Sequence, residues 1–272
     1  MNRITSLFRQ KKEQVLSVFF TAGFPALQDT VPVLTALQEA GADLVEIGMP
    51  YSDPMADGPV IQASNTRALA NGMSVELLFE QLKDIRTHIH IPILLMGYYN
   101  PVLQYGVEQF VTQAAAAGID GIIIPDLPLQ EYEQQYQQLF QAHKLSNVFL
   151  VTPQTPEDRL LHIDRLSTGF IYIVSSSSTT GNQQQQQGHD SYFSRIRQTP
   201  LQNPALIGFN IKDQESFRYA CQYAAGAIIG SAFIRVLEQA DDLRPAIHAF
   251  VQQLRGAAEP LPSAPHRQTA TL

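Results

Sequence analysis

The chain has 272 residues, enough for one large α/β domain with a full core, and its 44% hydrophobic and 16% charged content is ordinary for a globular protein. A formal net charge of -7 removes any general attraction to nucleic acid or anionic lipid. The single cysteine, Cys221, excludes an internal disulfide and a cysteine-based zinc cluster, and its helical surroundings suit a packed small hydrophobe.

The opening MNRITSLFRQKK lacks the apolar run of a signal peptide, and no apolar stretch is long enough to cross a bilayer, so a cytoplasmic protein is expected. Residues 4–8 form a short amphipathic segment. Eight β-branched apolar runs follow, at 15–22, 42–48, 91–96, 121–125, 148–152, 170–174, 205–209 and 227–230. They are nearly continuous in apolar residues, as strands covered on both faces should be. Helical patterns lie between them at 29–40, 74–88, 107–117, 128–144, 156–166 and 213–224, with a last helix to about 254. Gly41 and Gly118 read as C-caps and Ser74 as an N-cap.

Strand and helix alternating eight times predict a (β/α)8 barrel over residues 1–255, with the 4–8 segment plugging its bottom. A doubly wound open sheet would want a GxGxxG turn after the first strand, and that position reads TAGFPAL. The tail from 256 to 272 is Pro-, Ala- and polar-rich and is expected to be disordered. Residues 175–190, SSSSTTGNQQQQQGHD, cannot pack a core and follow the sixth strand. They read as a surface loop or as a lid over a substrate.

Glu46 sits alone in the apolar second strand, in ADLVEIGMPYSDPMADG. A carboxylate there is costly to bury. If Leu44 faces into the barrel, so do Glu46 and Gly48, near the mouth where barrel active sites lie. Burial would raise the Glu46 pKa toward neutrality, while Asp57, on the following loop, should sit in a wetter setting and stay ionised. Such a divided pair suits acid–base chemistry. The other reading of Glu46 is a buried ion-pair partner, although no Lys or Arg lies in the neighbouring inner strands. Asp53 either shapes a turn or serves the function, and so does Asp126 in GIIIPDLP. Gly208, Gly230 and Ser231 end the last two strands, where barrels often bind phosphate through backbone N–H groups. The histidines form no metal set.

The run LVEIGMPYSDPMADGPVIQ resembles the signature of the tryptophan synthase α-subunit family, and GIIIPDLP, YIVSSSSTTG, IGFNI and IIGSAFI follow in family order. The resemblance covers all but the termini and the glutamine run. It implies cleavage of indole-3-glycerol phosphate to indole and glyceraldehyde 3-phosphate, a retro-aldol reaction with no cofactor or metal in this chain. Glu46 and Asp57 match the family's catalytic pair. Phe19, Ile61, Met96, Tyr98, Leu150 and Tyr172 match its indole pocket, and Thr180, Gly181, Phe209, Asn210, Gly230 and Ser231 its loop and phosphate positions. Asp53 and Pro54 match the contact with a pyridoxal-phosphate β subunit in an α2β2 tetramer. Two departures stand out: SSSSTTG where many members have SRxGVTG, and Asn210 where many have Gly, a change that Asn's tolerance of positive φ accommodates. The alternatives are another phosphate-binding barrel, such as an indole-glycerol-phosphate synthase or a ribulose-phosphate epimerase, or an inactive barrel kept to activate a β partner. The first two want a further catalytic lysine, or paired histidines with metal-binding acids. Retention of Glu46 and Asp57 argues against the third.

Overall fold

The computed structural model describes residues 2–174, 183–208 and 210–256, and of residues 183–189 only the backbone. Nine strands are present among them: β1 Val15–Thr21, β2 Leu44–Gly48, β3 Ile93–Met96, β4 Gly121–Ile123, β5 Ser146–Val148, β6 Leu150–Val151, β7 Ile171–Val174, β8 Ala205–Gly208 and β9 Gly226–Ile229. All neighbours pair in parallel, in the order β5-β4-β3-β2-β1-β9-β8-β7-β6. The two end strands are one stretch of chain divided only at Phe149, so the sheet closes into a barrel. The fifth predicted strand is therefore two short ones. Its first half pairs with β4 and its second with β7, the change of partner that strand stagger in a tilted barrel produces.

The helices are α1 Arg3–Gln10, α2 Thr30–Ala40, α3 Pro59–Ala70, α4 Val75–Leu82, α5 Tyr99–Tyr105, α6 Val107–Ala116, α7 Leu129–Glu131, α8 Gln137–Ala142, α9 Glu157–Leu166, α10 Gln183–Gln198, α11 Gln214–Ala220, α12 Ser231–Gln239 and α13 Leu243–Arg255. One π-helical stretch, Tyr132–Tyr136, joins α7 to α8. Gly41 ends α2 in the left-handed region at φ 95°, and the Ser74 hydroxyl caps α4 by accepting from Leu77 N. No described helix is long and apolar enough to cross a membrane.

The strand alternation sorts the core into two layers. Val15, Leu44, Leu94, Ile123, Val148, Phe170, Tyr172, Leu206 and Ile228 pack together inside the barrel. Leu16, Val18, Phe20, Val45 and Ile47 face the helices. Ile4 of α1 is fully buried in the inner cluster, so the amphipathic N-terminal segment fills the barrel floor. Gly121 and Gly169 make room for it: a Cβ at either would lie 3.0 or 3.1 Å from Ile4.

The glutamine run differs from its expectation as a loop. Residues 183–187 begin α10, and glutamine's unbranched side chain is a good helix former once tertiary contacts further along anchor the segment. That anchor is aromatic: Tyr192 and Phe193 are buried, and Tyr219 and Tyr223 of the α11 region donate to Asp190. Residues 175–182, which hold the rest of the proposed lid, and the tail beyond Gly256 lie outside the described residues.

Candidate active site

Glu46 points into the barrel from β2 with no exposure to solvent, opposite Phe19 in register with β1 and Leu94 in register with β3. One side-chain oxygen, Oε1, accepts a hydrogen bond from Ser17 Oγ at 2.7 Å. The other, Oε2, is buried with no hydrogen-bond partner among the described residues. Glu46 has no ion pair among them either, which removes the ion-pair reading. Burial pushes its pKa up to about 8, against a smaller downward pull from Ser17. At neutral pH this carboxyl holds its proton.

Asp57 stands on the loop between β2 and α3, and Pro59 at the first turn of α3 fixes the chain direction there. Its Oδ2 accepts from the Tyr98 hydroxyl at 3.0 Å, while that hydroxyl accepts from Ala56 N at 2.9 Å. Asp57 is half-buried, a wetter setting than that of the fully buried Glu46, as expected. Burial raises its pKa too, and the Tyr98 hydrogen bond only partly opposes this. Sequence reasoning missed the effect because Tyr98 arrives from the end of β3 and covers the loop. Burial and then the negative potentials of Glu46 and Asp57 hold the Tyr172 hydroxyl in its neutral form. The two carboxyl groups thus bear on the same ring.

The other expected residues gather at the same end of the barrel. Phe19 lies against Gly48, where a Cβ would come within 2.5 Å of its ring, and against Gly230. Ile61, from α3, reaches the same Gly230 position at 3.6 Å. Leu150 pairs in register with Tyr172 on the opposite wall, and Tyr172 fits only because residue 208 is glycine: a Cβ there would lie 2.4 Å from the phenol. Phe19, Gly48, Met49, Asp57, Asn65, Met96, Gly97, Tyr98 and Pro125 line a cavity of about 20 Å³, room for one water. Gly230 caps α12 and Ser231 is its first residue, so the backbone N–H groups of that turn face the mouth. Asn210 is exposed at φ 60°, the left-handed conformation that its glycine-replacing position demands. Thr180, Gly181 and Phe209 lie outside the described residues.

Asp53 and Pro54 lie apart from this cluster, on the outer edge of the β2–α3 loop. Asp53 is exposed and accepts from Ser52 Oγ at 2.5 Å, Pro54 is buried, and Met55 beside them is 90% exposed. Asp126 has an exposed carboxylate that accepts from Tyr99 N at the start of α5 and adds to the upward push on the Tyr98 pKa. No group of three metal-ligating side chains occurs among the described residues.

Sequence reasoning missed Ser17, Met49, Asn65, Gly97 and Pro125. Ser17 was detectable, since Val15, Ser17 and Phe19 share the inward face of β1 and only one of the three is polar. Asn65 was not, because α3 buries Ser64, Asn65 and Ala68 instead of an apolar stripe.

The sequence pattern of the tryptophan synthase alpha chain family matches residues 6–260. The chain belongs to that family. It is 52% identical over 240 residues to the tryptophan synthase alpha chain of Flavobacterium psychrophilum, covering 88% of this chain and 94% of the relative. Its identity to the alpha chain of Flavobacterium johnsoniae is 50% over 256 residues, covering 94% and 100%. Among solved structures, tryptophan synthase subunit alpha from Legionella pneumophila superposes with a TM-score of 0.85 at 32% identity, over 94% of this chain and 98% of that one. A chain of Mycobacterium tuberculosis tryptophan synthase in its aminoacrylate-bound form gives 0.83 at 30%, over 95% and 100%. As a family member the chain is a lyase of tryptophan biosynthesis, cleaving indole-3-glycerol phosphate to indole and glyceraldehyde 3-phosphate. An alpha chain implies a beta-subunit partner.

Proposed function

We propose that Glu46 and Asp57 carry out the cleavage between them, with Glu46 moving both protons. The observation that supports this most is the Glu46 carboxyl, fully buried, without a partner at Oε2 among the described residues and kept protonated at neutral pH. Glu46 donates its proton to indole C3, and Asp57 accepts the indole N–H as positive charge develops on that nitrogen. The Glu46 carboxylate then takes the proton of the glycerol hydroxyl on the carbon attached to C3. The carbon–carbon bond breaks, its electron pair restores the indole ring, and the hydroxyl-bearing carbon becomes the aldehyde. Indole keeps the first proton at C3, and Glu46 ends the cycle protonated as it began. Such proton transfer by a positioned side chain is worth roughly 10²–10⁴-fold.

The indole ring lies between Phe19, Ile61 and Met96 on one side and Leu150 and Tyr172 on the other in this reading. The phosphate lies at the start of α12, on Gly230 and Ser231 and beside Asn210. Thr180, Gly181 and Phe209 are further substrate-binding residues in this reading. The chain works without a cofactor of its own, and pyridoxal phosphate belongs to the β subunit of an α2β2 tetramer. The loop at Asp53 and Pro54, from which Met55 projects, is the contact with that subunit.

The test is a cleavage assay on the wild type and on Glu46→Gln, each with and without a tryptophan synthase β subunit. Glu46→Gln is expected to lose at least ~10³-fold in kcat while keeping its circular dichroism spectrum. Wild-type turnover of the variant, or no turnover by the wild type under either condition, overturns the reading.

A further inference from the structure

We propose that Ser17 is the positioning residue for Glu46: it holds Oε1 from the barrel floor and so assigns the transferable proton to Oε2. The inference rests on the role given to Glu46 above. Ser17 lies two residues before Phe19 on the inward face of β1, and Phe19 is the register partner of Glu46. The hydroxyl therefore approaches the carboxyl from the floor side, opposite the mouth. Ser17 Oγ and Glu46 Oε1 are 2.7 Å apart, and both residues have no solvent exposure.

A neutral carboxyl group has one carbonyl oxygen and one hydroxyl oxygen, and a donor stabilises the carbonyl form of the oxygen it touches. Ser17 donating to Oε1 leaves the proton on Oε2, the oxygen with no partner among the described residues. That is the oxygen free to meet a reacting carbon. The side chains that face Glu46 are few. Among the described residues, Phe19 stands beside it on β1, Leu94 on β3, and Tyr172, across the barrel, feels its charge as well as that of Asp57. No positive charge among the described residues pairs with Glu46, so among them Ser17 carries the orientation of the carboxyl and a downward pull on its pKa.

Ser17→Ala removes one oxygen and adds no volume, so the barrel keeps its packing. Ser17→Thr retains the hydroxyl. Cleavage by full-length wild type, Ser17→Ala, Ser17→Thr and Glu46→Gln should be followed from pH 6 to pH 10. Hydrogen bonds to charged groups suggest a loss of ~10-fold or more in kcat for Ser17→Ala, with KM within about twofold. The active form is the protonated Glu46, so kcat falls as pH rises through its pKa. Without the Ser17 donor the carboxylate is less stable, and the alkaline limb moves up by about one unit. Ser17→Thr restores both the rate and the limb.

A carboxyl band in the infrared spectrum, identified by its absence in Glu46→Gln, should shift its midpoint in the same direction for Ser17→Ala. This readout does not depend on turnover and separates the two possible failures. Turnover surviving Glu46→Gln removes the catalytic role on which the inference rests. Glu46→Gln inactive, with Ser17→Ala unchanged in kcat and in carboxyl midpoint, overturns the role of Ser17 alone. Alanine-like values for Ser17→Thr also count against it, because the hydroxyl would then not be what matters.

Discussion

The two ends of the barrel treat buried carboxylates in opposite ways. At the floor, Asp120 is 4% exposed and pairs with Arg86 and with Arg3 at 3.1 Å, and it also accepts from Ile93 N. Asp43 pairs with Lys11 at 2.7 Å and Arg255 at 2.5 Å and accepts from Leu16 N. At the mouth, Glu46 is buried more completely than either and has one serine hydroxyl. The floor carboxylates tie α1, α13 and the strand beginnings together. The mouth carboxyl has no ion pair among the described residues, and burial lifts its pKa to about 8. Pairing makes a carboxylate structural, and leaving it unpaired keeps it chemically available.

After Glu46→Gln, the largest expected effect also tests the mouth. Asp57→Ala should lower kcat by roughly 10²–10³, the loss typical of one group that stabilises developing charge, with a melting temperature close to wild type. Steady-state kinetics with thermal melts measure both. The floor should respond the other way. Asp120→Ala leaves the half-buried Arg86 guanidinium without its partner and is expected to cost ~3–5 kcal/mol of stability. Denaturant titration measures this, and kcat at 25 °C should stay within about twofold. Equal losses of activity and stability in both variants would erase the contrast between the ends.

Gly208→Ala gives an intermediate effect. Its Cβ would press on the Tyr172 ring at 2.4 Å, and such overpacking costs ~1–3 kcal/mol. Because that ring lines the proposed indole site, KM should rise several-fold, and Gly208→Ala combined with Tyr172→Phe should recover part of the loss.

A further contrast appears in how stability depends on pH. Unfolded, Glu46 titrates near 4.5, whereas folded it titrates near 8. The folded chain therefore holds the extra proton between those values, and stability falls as pH rises across that window. Glu46→Gln has no such proton, so its melting temperature should exceed wild type by about 4 °C or more at pH 9 and match it closely at pH 4.5. The smallest effect belongs to the exposed loop. Asp53→Asn should leave stability within ~0.5 kcal/mol and the isolated chain's kcat unchanged, with any loss confined to assays with a β subunit.

The barrel was legible in the sequence because each strand is buried on both faces, which writes a continuous apolar run. Glu46 was legible for the same reason, as the charged interruption of one such run. Elements built from polar residues were not. The mouth-lining face of α3 carries Ser64 and Asn65, so it shows no apolar period, and the helical part of the glutamine run depends on aromatic anchors further along α10. The split of the fifth strand at Phe149 follows from the stagger of the closed barrel, which no local pattern records. Asp57 was legible as a site residue in a wetter setting than Glu46, but the upward push on its pKa was not, since the cover that Tyr98 brings comes from another strand end. Ser17 was visible as a polar residue on an inward register, but its meaning required the β1–β2 pairing.

The most direct measurement is a carbon-13 NMR titration of the side-chain carboxyl resonances in glutamate-labelled chain, with Glu46→Gln assigning the Glu46 signal. A midpoint near 8 is expected, well separated from the exposed glutamates. A midpoint near 4.5 would mean that Glu46 is ionised at neutral pH, and it would contradict the acid–base role on which the proposed mechanism depends.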